Sequence, residues 1–151
     1  EAMISINPIR IHLISSVSDI ESFIPSDGKY ILTCQTTLSL LDVSDLIDLM
    51  KERIPFLEIY PEICKATRTR QIAVLNAQGY DAIIVVGDPA SNNTTQLYHL
   101  AQKVCPKAIM AENYEGIDLQ ELKNCEKIAI TSGASTPGFL VDQIIEALED
   151  N

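Results

Sequence analysis

The alternation of apolar runs with helical stretches constrains this chain more than any other feature. Short runs rich in β-branched residues read as strands: Ile9–Ile14, Tyr30–Thr33, Leu57–Tyr60, Ala82–Val86, Ala108–Met110 and Ile128–Thr131. Helical spacing fills the gaps, over roughly Ser18–Phe23, Ser44–Arg53, Thr69–Gln78, Thr95–Val104, Leu119–Lys123 and Gly138–Leu148. Strand followed by helix, repeated, predicts βαβ units and an α/β fold with small, mostly parallel sheets. Ile83-Ile84-Val85-Val86 and Ile128-Ala129-Ile130 are continuous rather than alternating, which predicts burial on both faces. With 151 residues the chain is too short for a TIM barrel. No Gly/Ser-rich linker divides it. The best seam, Pro55 to Pro61, predicts two α/β lobes, 1–60 and 61–151; a single open sheet is the alternative.

Composition narrows the function. Apolar residues are 46% of the chain, enough to bury a core. The formal net charge is −10, which argues against a nucleic-acid partner, since phosphate backbones call for a basic stripe. No apolar run approaches the roughly 20 residues of a membrane span, and the start shows no secretory leader. A protein of the cell interior, with no membrane partner, is expected. Met3 reads as an initiator behind an added scar, or as an internal residue. The four cysteines, Cys34, Cys64, Cys105 and Cys125, form no CxxC pair, so neither a disulfide framework nor a self-sufficient zinc site is expected.

Three strands run into long polar turns: Cys34-Gln35-Thr36-Thr37-Leu38-Ser39, Gly87 to Thr95 with Ser91-Asn92-Asn93, and Ser132-Gly133-Ala134-Ser135-Thr136-Pro137-Gly138. In open α/β sheets, ligands bind beyond the carboxyl ends of the strands, and helix N-termini there favour anions. A convergent set of neutral Ser, Thr and Asn donors suits a phosphate or diphosphate. One such turn is more often a helix cap than a site. Three long ones shift the balance toward a site. Neither the P-loop nor the GxGxxG fingerprint is present.

A fourth turn, Ile63-Cys64-Lys65-Ala66-Thr67-Arg68-Thr69-Arg70-Gln71, opens a helix. The helix N-terminus and its basic neighbours favour a thiolate at Cys64, either a metal ligand or a nucleophile. Cys105 and Cys125 read as small buried hydrophobes; Cys34 is open to both readings. His12 and His99 read as packing or surface residues, and no Ser-His-Asp or Cys-His arrangement is visible.

Taken in order, Gln35-Thr36-Thr37-Leu38-Ser39, Cys64 to Gln71, Val85-Val86-Gly87 with Ser91-Asn92-Asn93, and Gly133-Ala134-Ser135-Thr136-Pro137 resemble the C-terminal half of the 4-hydroxy-3-methylbut-2-enyl diphosphate reductase (LytB) family. The family pattern is QTTLS, CxATxxRQ, VVGxxxSSN, and GAS with Ala or Thr before Pro. The resemblance implies three α/β lobes in pseudo-threefold arrangement around a 4Fe–4S cluster, each lobe giving one cysteine. Cys64 matches the third cysteine. Residues 1–60 then correspond to the end of the middle lobe and 61–151 to the third. Thr36 matches the threonine that helps protonate the substrate. Gln35, Thr37, Thr67, Ser91, Asn92, Asn93 and Ser135 match positions around the diphosphate. The implied reaction is reductive removal of the allylic hydroxyl, giving isopentenyl and dimethylallyl diphosphate in the non-mevalonate route to isoprenoids. Electrons would come from ferredoxin or flavodoxin, in the bacterial cytoplasm or a plastid-type organelle. The chain departs from the pattern at Asn92 (a serine in the family), at Lys65 and Arg68, at Gly138, and at Cys34 ahead of Gln35.

Two other functions compete on the sequence. One is a non-enzymatic α/β module binding a phosphorylated small molecule. The weaker is a Cys64-dependent enzyme, which lacks a visible base. Since one cysteine cannot hold a cubane cluster, the reductase reading predicts that this chain alone is inactive.

Overall fold

Backbone pairing divides the apolar runs into two sheets. The computed structural model describes residues 7, 9–35, 38–60 and 64–150, with 40–42 as backbone only. The chain forms two compact units: residues 1–33 with 41–60, and residues 34–40 with 61–151. The polar segment Cys34–Leu40 thus groups with the second unit, whereas the sequence reading kept 1–60 together.

In the first unit, α1 (Val17–Ser22), β1 (Ile31–Leu32), α2 (Leu40–Arg53) and β2 (Glu58–Ile59) follow one another. β1 and β2 pair in parallel, Ile31 opposite Glu58 and Leu32 opposite Ile59. The core is thin: Ile20, Met50 and Ile54, with Phe23, Tyr30, Leu46 and Leu57 against them. The Arg53 guanidinium donates to the Phe23 and Glu21 carbonyls at 3.0 and 2.8 Å, tying the end of α2 to the end of α1. His12 packs its ring against the Phe23 ring at 5.1 Å. The strand expected over Ile9–Ile14 does not form. Asn7 accepts from the Arg10 and Ile11 amides, so this stretch opens as a turn, and residues 11–15 pair with no strand.

In the second unit, α3 (Lys65–Asn76), β3 (Ala82–Val86), α4 (Asn92–Val104), β4 (Ala108–Ala111), β5 (Ile128–Ser132) and α5 (Gly138–Glu149) build a three-stranded parallel sheet, order β4-β3-β5. Leu119–Lys123, expected as a helix, forms only a short 3-10 turn over Leu119–Leu122, and Tyr114–Gly116 forms another. β3 is buried along its whole length. Its side chains alternate: Ile83 and Val85 pack with Val74, Leu97, Leu100 and Ala101 of α3 and α4. Ala82, Ile84 and Val86 pack with Ile117, Leu122 and, from α5, Ile144. Complete burial of such an aliphatic side chain contributes about 1.5–3 kcal/mol. Asp81 secures the strand starts, its carboxylate accepting from the Glu126 and Lys127 amides at 2.8 Å each. Cys105 is buried, its thiol donating to the Tyr80 carbonyl at 3.2 Å.

This topology creates a switch point. β3 leads into α4 on one face of the sheet, while its neighbour β5 leads into α5 on the other. The two chains diverge where the strands end, at Gly87 and Gly133. Such divergence is where open α/β sheets form ligand crevices.

Candidate functional site

The Gly87–Ser91 turn is held by residues that the motif reading did not single out. Asp88 accepts from the Ala90 amide at 2.7 Å, and the Thr95 hydroxyl donates to the Pro89 and Ser91 carbonyls at 3.0 and 3.1 Å. Ser91 occupies the N-cap of α4 but makes no side-chain cap bond. Asn92 is exposed. Asn93, only 6% exposed, keeps both its amide nitrogen and its carbonyl oxygen without a hydrogen-bond partner. The Thr94 hydroxyl beside it is buried and equally unpartnered. A buried polar group left unpaired costs about 1–3 kcal/mol, so a group tolerated in that state calls for a function.

Gly87 and Gly133 shape the floor of the crevice. A Cβ on Gly87 would lie 2.6 Å from the Thr136 hydroxyl and 2.8 Å from that of Thr94. On Gly133 it would lie 2.5 Å from Thr94 and 3.0 Å from Thr136. Gly87 also sits at φ +147°, in the region glycine adopts freely. Ser135 is exposed on the turn that enters α5, whose N-cap, Pro137, provides no side-chain bond either.

α3 carries the other half of the polar set. Thr67 and Gln71 are buried on it, and Gln71 donates to the Leu38 carbonyl at 2.9 Å, anchoring the segment that contains Gln35. Gln35 is exposed. Thr36 and Thr37 lie outside the described residues.

Cys64 stands at the N-cap of α3, exposed. Cys64 makes no side-chain cap bond, but the Ala66 amide, then the Thr67 amide, at the helix start hold its pKa below the ordinary thiol value; the Thr67 hydroxyl and the Arg70 charge add smaller effects. A thiolate stabilised this way is both a metal ligand and a nucleophile. Among the described residues no three His, Cys, Asp or Glu side chains converge on a metal site. A soft thiolate of this kind is the donor type that iron–sulfur clusters use.

Gln71, Thr94 and Thr136 were given no site role on the sequence. Gln71 and Thr136 stand within the quoted motifs and Thr94 within the Gly87–Thr95 turn, but their roles depend on tertiary approach.

Together these features define a parallel α/β protein with buried, unpartnered polar groups at its switch point and an activated thiol. The chain belongs to the LytB protein family, whose family model matches residues 1–149. It is 40% identical to a 4-hydroxy-3-methylbut-2-enyl diphosphate reductase of Geobacillus thermodenitrificans, over 99% of this chain and 48% of that one. The solved structure of the Plasmodium falciparum E-1-hydroxy-2-methyl-but-2-enyl-4-diphosphate reductase superposes with a TM-score of 0.86 at 32% identity, covering 96% of this chain and 47% of that one. A second solved structure, of an (E)-4-hydroxy-3-methyl-but-2-enyl diphosphate reductase, shares the fold with a TM-score of 0.58 at 22% identity, covering 91% of this chain and 49% of that one. The chain spans about half the length of the curated relatives it matches.

Proposed function

We propose that this chain is the C-terminal part of a 4-hydroxy-3-methylbut-2-enyl diphosphate reductase, with residues 1–60 ending a middle lobe and 61–151 forming the third. The observation that carries the reading is Asn93, a buried amide with both polar atoms unpartnered at the switch point. A diphosphate oxygen would accept from its nitrogen. Ser91, Asn92 and Ser135 would add neutral donors from the turns of α4 and α5, and Thr67, Gln35 and Thr37 from α3 and the segment before α2. Neutral donors bind a polyanion without adding a competing salt network. Thr36 would help protonate the substrate's reduced allylic end, which gives the product.

Cys64 would hold one iron of a 4Fe–4S cluster, its thiolate already favoured by the Ala66 and Thr67 amides. When bound, the cluster supplies reducing electrons and a Lewis-acidic iron for removal of the hydroxyl. The chain's own residues grip the diphosphate end and so orient the allylic end. A ferredoxin or flavodoxin is the proposed electron donor, and the bacterial cytoplasm or a plastid-type organelle the proposed location. Among the described residues no helix is long and apolar enough to cross a membrane.

The test uses the full-length protein purified without oxygen. We expect a broad absorbance band at about 400 nm, where thiolate-to-iron charge transfer falls for such clusters. Cys64→Ser should remove the band and the reductase activity while the polypeptide remains folded by circular dichroism. A wild-type protein with no band, or a Cys64→Ser variant with unchanged band and activity, would sink the reading.

A further inference from the structure

We propose that Thr94 and Thr136 form a positioning pair that sets the span between the Asn93 and Ser135 loops, and with it the preference for diphosphate over a single phosphate. The inference rests on the diphosphate reading of the crevice. The strand ladder joins β3 to β5 only as far as Val86 opposite Ser132. Beyond that pair the chains diverge, and the ladder no longer fixes how far apart their loops stand. Two other contacts take over. The Val86 carbonyl accepts from the Gly133 amide at 2.9 Å and from the Thr136 hydroxyl at 3.1 Å. The Thr136 amide in turn donates to the Gly133 carbonyl at 3.1 Å, so the Gly133–Thr136 turn is clamped at both ends to one atom of β3.

From the other side comes α4. Thr94 and Thr136 share one seat, because each hydroxyl lies within 3.0 Å of where a Cβ would stand on Gly87 and on Gly133. Four segments therefore meet through two hydroxyls and two missing side chains. Thr136 has committed its hydrogen to the Val86 carbonyl. The Thr94 hydroxyl is 99% buried with the residue, at 1% exposure, and makes no hydrogen bond. Each threonine directly follows a residue assigned to the anion: Asn93 then Thr94, Ser135 then Thr136. A shift of either hydroxyl moves the neighbouring donor. Because the two donor sets sit on different loops, their separation decides whether one anion can engage both.

Calorimetric titration of the full-length protein with inorganic diphosphate and with orthophosphate tests this. Thr94→Val and Thr136→Val should each weaken diphosphate binding about tenfold, a change of about 1.4 kcal/mol, while orthophosphate binding stays within about twofold. Thr→Ser at either position should restore the preference. The double Val variant should lose little more than either single one, since both act on the same span. Gly133→Ala, which pushes a methyl into the same seat, should also weaken diphosphate binding while orthophosphate binding stays within about twofold. That variant keeps the test decisive if a Val variant fails to fold. Val or Gly133→Ala variants that bind diphosphate like the wild type, or lose both anions equally, overturn the inference, as does a Ser variant that behaves like Val. A wild-type protein that binds no diphosphate overturns the diphosphate reading, and the inference falls with it.

Discussion

Helices α1 and α4 both begin after a serine, and the two serines are used in opposite ways. Ser16 accepts from the Asp19 amide at 3.3 Å, and Asp19 reaches back to the Ser16 amide at 2.8 Å, a complete capping box. Asp19 also accepts from the Ser15 amide and from both serine hydroxyls. One carboxylate oxygen, Oδ2, takes all four of these bonds within the turn. Ser91 has the same place at α4 and makes no cap bond. The third helical residue accounts for the contrast. At α1 it is Asp19, which closes the box. At α4 it is Thr94, whose hydroxyl is turned into the Gly87–Gly133 seat. A residue type favoured at caps thus does not reveal whether it caps; the residue three positions on does. The first helix start is spent on stability, and the second keeps polar groups in reserve.

That contrast breaks most readily at Asn93. Asn93→Leu should weaken diphosphate binding by about 10–100-fold, the equivalent of a lost hydrogen bond to a charged group. The ligand-free protein should melt at the same temperature or higher, because an apolar side chain of similar size replaces two unpaired polar atoms. A lower melting temperature with unchanged affinity would show that Asn93 is structural, like Ser16. The reverse experiment comes next in size. Ser16→Ala should cost about 1 kcal/mol in denaturant titration and leave diphosphate affinity unchanged. Ser91→Ala should change stability by only a few tenths of a kcal/mol, since no cap is lost. Equal stability losses at the two serines would erase the distinction.

How much of this was legible in the sequence depends on what each residue answers to. The buried strand Ala82–Val86 was legible to the residue, because burial on both faces leaves a continuous apolar run. Ile9–Ile14, interrupted by Arg10 and His12, pairs with no strand among the described residues, and an apolar segment does not report whether a partner strand exists. Tyr30–Thr33 and Leu57–Tyr60 shrink to two paired residues each for a related reason: a two-stranded sheet has little ladder to extend them. α2, α3 and α4 start three or four residues before the helices read from the sequence; in α3 and α4 the polar first turn, Lys65–Arg68 and Asn92–Thr95, reads as loop. At the site, the activated thiol of Cys64 was legible, and so was half of its cause. The helix N-terminus and the basic neighbours both suggested it; the Ala66 and Thr67 amides of that N-terminus do most of the work and Arg70 the least. The crevice floor was not legible, because Gly87, Thr94, Gly133 and Thr136 meet only after β3 and β5 pair in register.

The smallest effects compare two helix starts that each hold an anion, Asp19 at α1 and Cys64 at α3. Both pKa values are lowered chiefly by backbone amides, that of Asp19 by Ser15 and that of Cys64 by Ala66. For Asp19 the charged form is favoured on folding. Its contribution to stability is complete above the unfolded value of 3.8 and fades as pH falls from there through the lowered folded value. Asp19→Asn should flatten that acid limb in a pH series of unfolding curves. For Cys64 the consequence is reactivity, read on the exposed thiol by peptide-resolved iodoacetamide labelling. The labelling rate should rise with pH and level off with a midpoint below the ordinary 9.0. Arg70→Gln should raise that midpoint only slightly, because the Arg70 charge is the weakest of the lowering influences and the two amides remain. A midpoint that returned to 9.0 in Arg70→Gln would mean that side-chain charge, not helix geometry, activates the thiol. The two helix starts would then hold their anions by different physics.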